Sequence, residues 1–295
     1  MERLQEIAGS EVEGLRLDQA LPRLFTDLSR RAARRLLNDG AVYVDGRRQR
    51  VASRAVRKGQ RLEIVRAPAS ADKAISRKEG VGPLEILFED DVLIAVEKPS
   101  GLPAQATVTD AVHNLEARLR EMLRRRDGRP PYLALHHRLD RGTSGVMVLA
   151  KHRQANKGLA TAFSERKVTK IYLARVDGKP PASSWEVENT LSAKPWEDGR
   201  VMREAGGRAA STEFQVREEI SGGALIEARP KTGRLHQIRV HLADSGVPVI
   251  GDTLYGGPPA SRLMLHAYRL EIPHPLTGKT LTLESPAPAD FQGER

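Results

Sequence analysis

The chain has 295 residues, of which 39% are hydrophobic and 29% are charged, a balance typical of a globular protein rather than of a fibrous or low-complexity one. The absence of cysteine excludes disulfides and thiolate metal sites, and without a signal-peptide core or an apolar run of roughly 18 residues we expect a cytoplasmic protein with no membrane partner. The formal net charge of +10 favours a nucleic acid as partner.

Residues 14–67 are predicted to form a small αβ domain. Apolar residues recur at helical spacing between residues 15 and 25, and Ser29 is a suitable N-cap for a second helix. A short strand, the turn Asp45-Gly46 and a second strand at residues 61–65 follow.

The second predicted helix is strongly basic on one face. Its arginines stand at positions i, i+1, i+4 and i+5, opposite its alanines and leucines, and residues 29–61 contain eleven basic residues against two acidic ones. A solvated helix face would also be basic, but this concentration predicts a surface that binds RNA phosphates. The predicted RNA-binding residues of this domain are Arg30, Arg31, Arg34, Arg35 and Lys58.

The composition changes at residues 68–82, which are small and polar without an apolar period and are predicted to be a linker. Residues 83–290 are predicted to form a second, larger domain. It begins with two apolar runs around residues 89–91, as in a strand hairpin, and a helix capped by Asp110 is predicted to reach about Arg126.

The sequence HHRLDRGTSGVMVLAK at residues 136–151 places one carboxylate, Asp140, between Arg138 and Arg141. A glycine-bounded turn and the apolar run at residues 146–149 follow, which predicts a loop held at the start of a buried strand. The neighbouring cations favour an ionised carboxylate, which suits a nucleophile or a base acting on an anionic substrate. Taken alone, the segment is more typical of an arginine–aspartate ion pair that braces a turn.

Two later segments combine regular apolar patterns with unusual polar content. Residues 168–178 alternate as in a strand, with Tyr172 on the face opposite Ile171. Residues 231–242, which include Arg234, hold further arginines and histidines among leucine, isoleucine and valine. We expect this second segment to be a helix or strand that lines a site.

Six motifs follow one another in a fixed order between residues 84 and 286. They are EDDVLIAVEKPSG, HRLDRGTSG, KIYLARVDG, TGRLHQIRVH, GDTLYG and LHAYRL. Together they resemble the RluA-like family of pseudouridine synthases. The resemblance implies an α+β catalytic domain whose mixed, largely antiparallel sheet carries the active-site cleft across its middle. It also implies isomerisation of uridine to pseudouridine in RNA, without a metal or an organic cofactor.

The N-terminal segments GLRLDQAL, LSRRAARRLLNDGAVYVDG and VRKGQRLEI resemble the S-four-type RNA-binding domain of a small-subunit ribosomal protein, with its αL motif. The two resemblances cover nearly the whole chain. RNA is therefore the expected partner of both predicted domains.

The resemblance to the synthases implies roles for four residues. Asp140 would be the essential carboxylate, and Arg234 the arginine that pairs with it. Tyr172 would stack on the target uracil, and Arg138 would fill the space that the extruded nucleotide leaves in the RNA. Attack of Asp140 on the sugar, attack on the base and removal of a sugar proton all stay open.

Several alternatives concern the substrate and the class of protein. Family members of this kind modify large-subunit ribosomal RNA or transfer RNA, and the N-terminal domain favours ribosomal RNA. We expect the protein to be a monomer. A non-catalytic RNA-binding or ribosome-assembly factor would carry the same domains. A metal-dependent hydrolase or nuclease would use His136, His137, Asp140 and His152. This function is disfavoured, because adjacent histidines of a strand point to opposite faces and cannot bind one metal ion together.

Overall fold

The computed structural model of the chain describes residues 2–25, 28, 30–38, 41–49, 51–66, 84–106, 113–193, 195 and 199–291. Within these ranges the description does not extend to the side chains of Glu2, Arg31, Arg35, Asn38, Arg47, Arg48 and Arg66. Ser29, the predicted linker 68–82 and Asp110 lie outside the described residues. The chain divides into an N-terminal and a C-terminal compact unit.

The N-terminal unit is a four-stranded antiparallel sheet with two helices packed against it. Its elements are β1 (Glu2–Ile7), α1 (Leu17–Leu24), α2 (Arg30–Asn38), β2 (Val42–Val44), β3 (Arg47–Gln49) and β4 (Arg61–Arg66), with the sheet order β1-β4-β2-β3. Leu17, Leu21 and Leu37 of the helices share a core with Leu62 and Ile64 of β4. β1 lies before residue 14, the predicted start of the domain, and adds an edge strand to the sheet.

The turn between β2 and β3 is the two-residue hairpin loop that the sequence predicted. Asp45 and Gly46 both have positive φ angles, 50° and 75°, as a tight hairpin turn requires. The Asp45 carboxylate accepts a hydrogen bond from the backbone N–H of Arg61, which ties the turn to β4.

The C-terminal unit is built on a ten-stranded sheet. Its strands are β5 (Ile86–Glu89), β6 (Leu93–Lys98), β7 (Ala134–Leu135), β8 (Ser144–Ala150), β9 (Thr169–Asp177), β10 (Ser184–Leu191), β11 (Arg208–Ile220), β12 (Gly223–Pro230), β13 (Leu265–Pro273) and β14 (Thr280–Glu284). Its helices are α3 (Leu115–Asp127), α4 (Ala155–Ser164) and α5 (Gln237–Asp244).

The sheet runs in the order β10-β11-β12-β9-β13-β8-β6-β5, with β14 beside β13 and β7 beside β8. Among the paired strands of the described residues, only β8 and β13 are parallel. All seven residues of β8 are buried, which explains its uninterrupted apolar run. The predicted mixed, largely antiparallel sheet is confirmed.

The helices of both units are short. α3 begins at Leu115, and its N-cap is Asn114, whose side chain accepts a hydrogen bond from the Ala117 N–H. The cap predicted from the sequence, Asp110, stands four positions earlier and lies outside the described residues. No helix in the part of the chain that the structure describes is long and apolar enough to cross a membrane.

Gly145 allows β8 and β13 to approach each other closely. Its φ angle is 116°, and an added Cβ would lie 2.3 Å from the carbonyl oxygen of Ala267. Any side chain here would separate the two strands. The glycine of the T-S-G motif therefore fixes where the loop before β8 meets the centre of the sheet.

Candidate active site

Asp140 lies in the loop between β7 and β8, which a turn after β6 holds in place. Ser100 Oγ donates a hydrogen bond to the carbonyl of Gly142 at 2.6 Å. Arg141 Nε donates to the carbonyl of Gly101 at 2.9 Å, and the Gly101 N–H donates back to the Arg141 carbonyl at 2.8 Å. The backbone that follows the carboxylate is therefore fixed against the sheet.

The fully buried ammonium group of Lys98 joins the same two loops. Its Nζ donates to the carbonyls of Pro99 at 2.9 Å, Leu102 at 2.7 Å and Arg141 at 3.2 Å. Burial lowers the pKa of Lys98 to about 7, and the charge of Asp140 opposes this shift. Lys98 thus contributes to the electrostatic surroundings of Asp140 as well as to the loop.

Asp140 borders a cavity of about 470 Å³ formed with β9 and the turn from β12 into α5. Arg138, Tyr172 and Arg234 line the same cavity. The fold therefore brings together the four site residues that the sequence predicted in the C-terminal domain, although they come from three separate motifs.

The arginine that faces Asp140 is Arg239, and the predicted pairing with Arg234 is wrong. Arg239 Nη1 lies 3.6 Å from Asp140 Oδ2. Arg234 Nε instead donates a hydrogen bond to the carbonyl of Ala209 at 2.9 Å. The physical reason is local structure: Arg239 projects from the first turn of α5, whereas Arg234 precedes that helix and reaches back to β11.

A second carboxylate orients Arg239. Its Nε and Nη2 atoms form a two-point ion pair with the almost fully buried Asp252, at 2.6 Å and 2.7 Å. The guanidinium also lies over the ring of Tyr255, with Cζ 5.0 Å from the ring centre. Burial acts to lower the pKa of Arg239, but Asp252 and Asp140 outweigh it and raise the pKa. Arg239 is thus a fixed cation between two carboxylates.

His236 is the second neighbour of Asp140. Its Nε2 lies 4.0 Å from Asp140 Oδ2, and its Nδ1 lies 2.9 Å from the hydroxyl of Tyr255. A left-handed φ of 53° just before α5 turns this residue toward the cavity. Burial lowers the pKa of His236 despite the opposing charge of Asp140, so the imidazole is neutral at pH 7.

Tyr172 presents an aromatic ring to the cavity from the centre of β9. Its cross-strand neighbours are Ala228 in β12 and Ala267 in β13, and these small side chains leave space beside the ring. Burial, assisted by the charge of Asp140, raises the pKa of Tyr172. The phenol is therefore protonated at neutral pH, and the ring that it offers is uncharged.

Positive charge gathers on the cavity wall around Lys170. Arg166 and Arg234 line the same cavity, and burial together with these two charges lowers the pKa of Lys170. No described carboxylate lies within 4.0 Å of any of these three cations. An anionic ligand would relieve their mutual repulsion.

Comparison with known proteins decides the family. The family model for RNA pseudouridylate synthases matches residues 92–244, which include Asp140, Tyr172 and Arg239, and the model for the S4 domain matches residues 15–62. The chain belongs to the RNA pseudouridine synthase family. The resemblance inferred from the motifs, the enzyme class and the fold class are confirmed.

Relatives resemble this pseudouridine synthase over almost its whole length. An uncharacterised RNA pseudouridine synthase of Aquifex aeolicus is 33% identical over 98% of this chain and 96% of its own. The ribosomal large subunit pseudouridine synthase D of Nitrosomonas europaea is 34% identical over 94% of this chain and 83% of its own. The solved structure of human RNA pseudouridylate synthase domain containing 4 superposes with a TM-score of 0.57 at 28% identity, over 75% of this chain and 92% of that one.

The N-terminal arginines of the synthase were predicted to bind RNA. Arg30 and Arg34 are about half exposed and both reach the carboxylate of Asp18. Lys58 is exposed. The side chains of Arg31 and Arg35 lie outside the description, and the RNA-binding role of all five residues stays a prediction.

The histidines of the alternative metal site do not converge on Asp140. His136 Nε2 lies 3.2 Å from Asn156 Oδ1, and His137 Nε2 accepts a hydrogen bond from the backbone N–H of Val148. In the described part of the synthase, no group of three or more histidine, aspartate or glutamate side chains is arranged to hold a metal ion.

Sequence reasoning missed Arg239 and Asp252 as members of the site. A signal for Arg239 was present, because His236 and Arg239 are three residues apart and share one face if the segment is a helix. Asp252 belongs to the GDTLYG motif, but its partner could be identified only after the fold had brought this motif beside α5.

Proposed function

We propose that this pseudouridine synthase modifies large-subunit ribosomal RNA and that Asp140 is its essential carboxylate. The observation that carries the proposal is the Asp140 carboxylate at the cavity, 3.6 Å from the fixed cation of Arg239. The guanidinium supplies a fixed positive charge beside the carboxylate, and in each of the three roles open to Asp140 the carboxylate acts as a negatively charged group.

The reaction breaks the bond between uracil N1 and the ribose, rotates the base, and joins its C5 to the same ribose carbon. The hydrogen at C5 leaves as a proton, and N1 gains one, so the base keeps its composition. Tyr172 lines the cavity with Asp140, and we propose that its ring stacks on the uracil, an interaction worth about 1–3 kcal/mol.

The target base must leave the RNA helix before it enters the cavity, which costs a few kcal/mol. Arg138 is exposed and lies two residues before Asp140. We propose that its planar guanidinium fills the vacated space in the RNA, since it can stack on bases as well as carry charge. The cations Arg166, Lys170 and Arg234 would meet the phosphates of the same strand.

The relatives and the N-terminal domain support ribosomal RNA as the substrate. Relatives of Nitrosomonas europaea and Neisseria meningitidis that cover most of this chain are named ribosomal large subunit pseudouridine synthase D. The S4 domain supplies a second RNA-binding unit, which a large structured substrate can engage. Transfer RNA is the competing substrate, and the monomeric state and cytoplasmic location stay predictions.

The substrate is tested with unmodified transcripts of large-subunit ribosomal RNA and of transfer RNAs. Both are labelled with tritium at uracil C5. We expect the synthase to release tritium from the ribosomal RNA and to release little from transfer RNA. Mapping of pseudouridine in the product identifies the position. Release from transfer RNA alone would contradict the proposed substrate.

A further inference from the structure

A buried carboxylate lies beneath the arginine-rich surface of the N-terminal unit. Asp18, in the first turn of α1, has no exposed surface. It contacts Arg16 Nε at 3.1 Å, Arg30 Nη2 at 3.4 Å and Arg34 Nε at 2.7 Å. One acidic group therefore contacts three arginines, Arg16 just before α1 and two from α2, and this cluster keeps a net charge of about +2.

The arginines of this cluster are fixed and yet accessible. Their side chains are 46%, 53% and 54% exposed for Arg16, Arg30 and Arg34. Arg16 and Arg34 reach Asp18 through Nε, and a guanidinium carries four further N–H donors on its two Nη atoms. Arg30 and Arg34 stand four residues apart, on one face of α2.

Free arginine side chains lose considerable rotamer freedom when they bind a phosphate. If a carboxylate already holds the arginine side chains in the folded protein, this loss of rotamer freedom has occurred before RNA binds. We propose that Asp18 is a positioning residue that holds Arg16, Arg30 and Arg34 as a preformed phosphate-binding surface for RNA. This inference rests on the proposed RNA-binding function of the N-terminal unit, and it does not depend on the chemistry of Asp140.

The proposal predicts an effect opposite to that of net charge. Removal of an acidic group from a basic surface should strengthen RNA binding if charge alone matters. Loss of a positioning residue should weaken it. The sign of the change therefore separates the two explanations.

The same unit provides a matched control in Glu63. This carboxylate is also buried and also pairs with two arginines, Arg3 at 2.9 Å and Arg61 at 3.3 Å. It lies on the sheet face opposite the helices, because its neighbours Leu62 and Ile64 point into the core. Glu63→Gln changes the net charge by the same amount as Asp18→Asn without touching the α2 arginines.

The experiment measures the affinity of the full chain for transcribed large-subunit ribosomal RNA between 50 and about 300 mM salt. We expect Asp18→Asn to bind about tenfold more weakly than the unchanged protein with the same slope of log affinity against log salt, because the same phosphates are still contacted. We expect Glu63→Gln to bind at least as tightly as the unchanged protein. Pseudouridine formation at saturating RNA should keep its kcat in Asp18→Asn while KM rises.

Two results would overturn the proposal. One is an Asp18→Asn variant that binds as tightly as Glu63→Gln, which would leave only a charge effect. The other is a folded Asp18→Asn variant with a reduced salt slope, which would mean that contacts are lost rather than less well ordered. Inactivity of Asp140 variants or a different substrate RNA would leave this binding result unaffected, so the two proposals fail separately.

Arg34→Lys tests the positioning role of Asp18 if the Asp18→Asn variant does not fold. Arg34 is half exposed, and lysine keeps its charge but cannot present a planar guanidinium while it contacts Asp18. We expect weaker binding at an unchanged slope. The control is Arg23→Lys, since Arg23 donates to the carbonyl of Glu11 instead of Asp18. Equal affinity of the two variants would contradict the role of Asp18.

Discussion

At the scale of single residues, the Tyr172 ring and hydroxyl have separable roles. The hydroxyl is protonated, because burial and Asp140 raise the pKa of Tyr172. If stacking is the main role, Tyr172→Phe should keep kcat/KM within about threefold, whereas Tyr172→Ala should lose about 10- to 100-fold. Both are measured by tritium release from labelled ribosomal RNA. Equal losses in the two variants would assign the role to the hydroxyl.

Arg239 and Arg234 offer a direct comparison of two arginines in one motif. Arg239→Gln leaves the buried Asp252 without its partner and Asp140 without its nearest cation. We expect kcat to fall strongly and the free energy of unfolding to drop by about 3–5 kcal/mol in urea titrations. Arg234→Gln should change the unfolding free energy by less than about 1 kcal/mol and should affect KM more than kcat. The reverse ranking would restore the pairing predicted from the sequence.

These two arginines also show how far sequence reasoning reached at this scale. The motifs placed Asp140, Tyr172, Arg138 and Arg234 on one cavity, as the fold does. The partner of Asp140 was misassigned because the motif holds two arginines, five positions apart, and only the start of α5 at Gln237 determines which of them turns inward. A helix boundary is set by backbone geometry that residue spacing does not resolve.

At the scale of secondary-structure elements, α2 is the element on which the RNA-binding prediction depends. Replacement of its four arginines by glutamine should weaken RNA binding. It should also reduce the slope of log affinity against log salt by about 2 to 4, because fewer counterions are released when fewer phosphates are contacted. Glutamine avoids a new carboxylate beside Asp18. Arg124 and Arg125 of α3, which pair with Glu121, provide the control substitutions. An unchanged slope would show that α2 is only a solvated basic face.

The parallel contact of β8 with β13 depends on Gly145. Gly145→Ala adds a Cβ 2.3 Å from the Ala267 carbonyl at a φ of 116°, so we expect a loss of about 3 kcal/mol or more in unfolding free energy. Gly222→Ala is the matched control, because its φ is 76° and nothing lies within 4 Å of the added Cβ, and it should cost only about 1 kcal/mol. Equal losses of unfolding free energy in the two variants would mean that the backbone conformation alone requires a glycine at position 145, and not the close contact of β8 with β13.

At the scale of the whole molecule, most elements of the N-terminal unit and several of the C-terminal unit followed from apolar periodicity and turn residues, whereas β10, β11 and β12 were not predicted. The hairpin at Asp45-Gly46, the buried strand β8 and the strand β9 were predicted from local patterns. Strand order was not, because the pairing of β9 with both β12 and β13 joins residues distant in sequence. The ion pair of Arg239 with Asp252 and the burial of Lys98 depend on the same long-range contacts, which is why they emerged only from the fold.

The central claim, that Asp140 is the carboxylate on which uridine isomerisation in RNA depends, is tested most directly by Asp140→Asn. The substitution keeps the size of the side chain and removes its charge. The measurement is tritium release from large-subunit ribosomal RNA labelled at uracil C5, together with the dissociation constant for the same RNA. We predict no detectable release by the variant and a dissociation constant within about threefold of the unchanged protein. Appreciable turnover by Asp140→Asn would contradict the claim that the reaction depends on the Asp140 carboxylate.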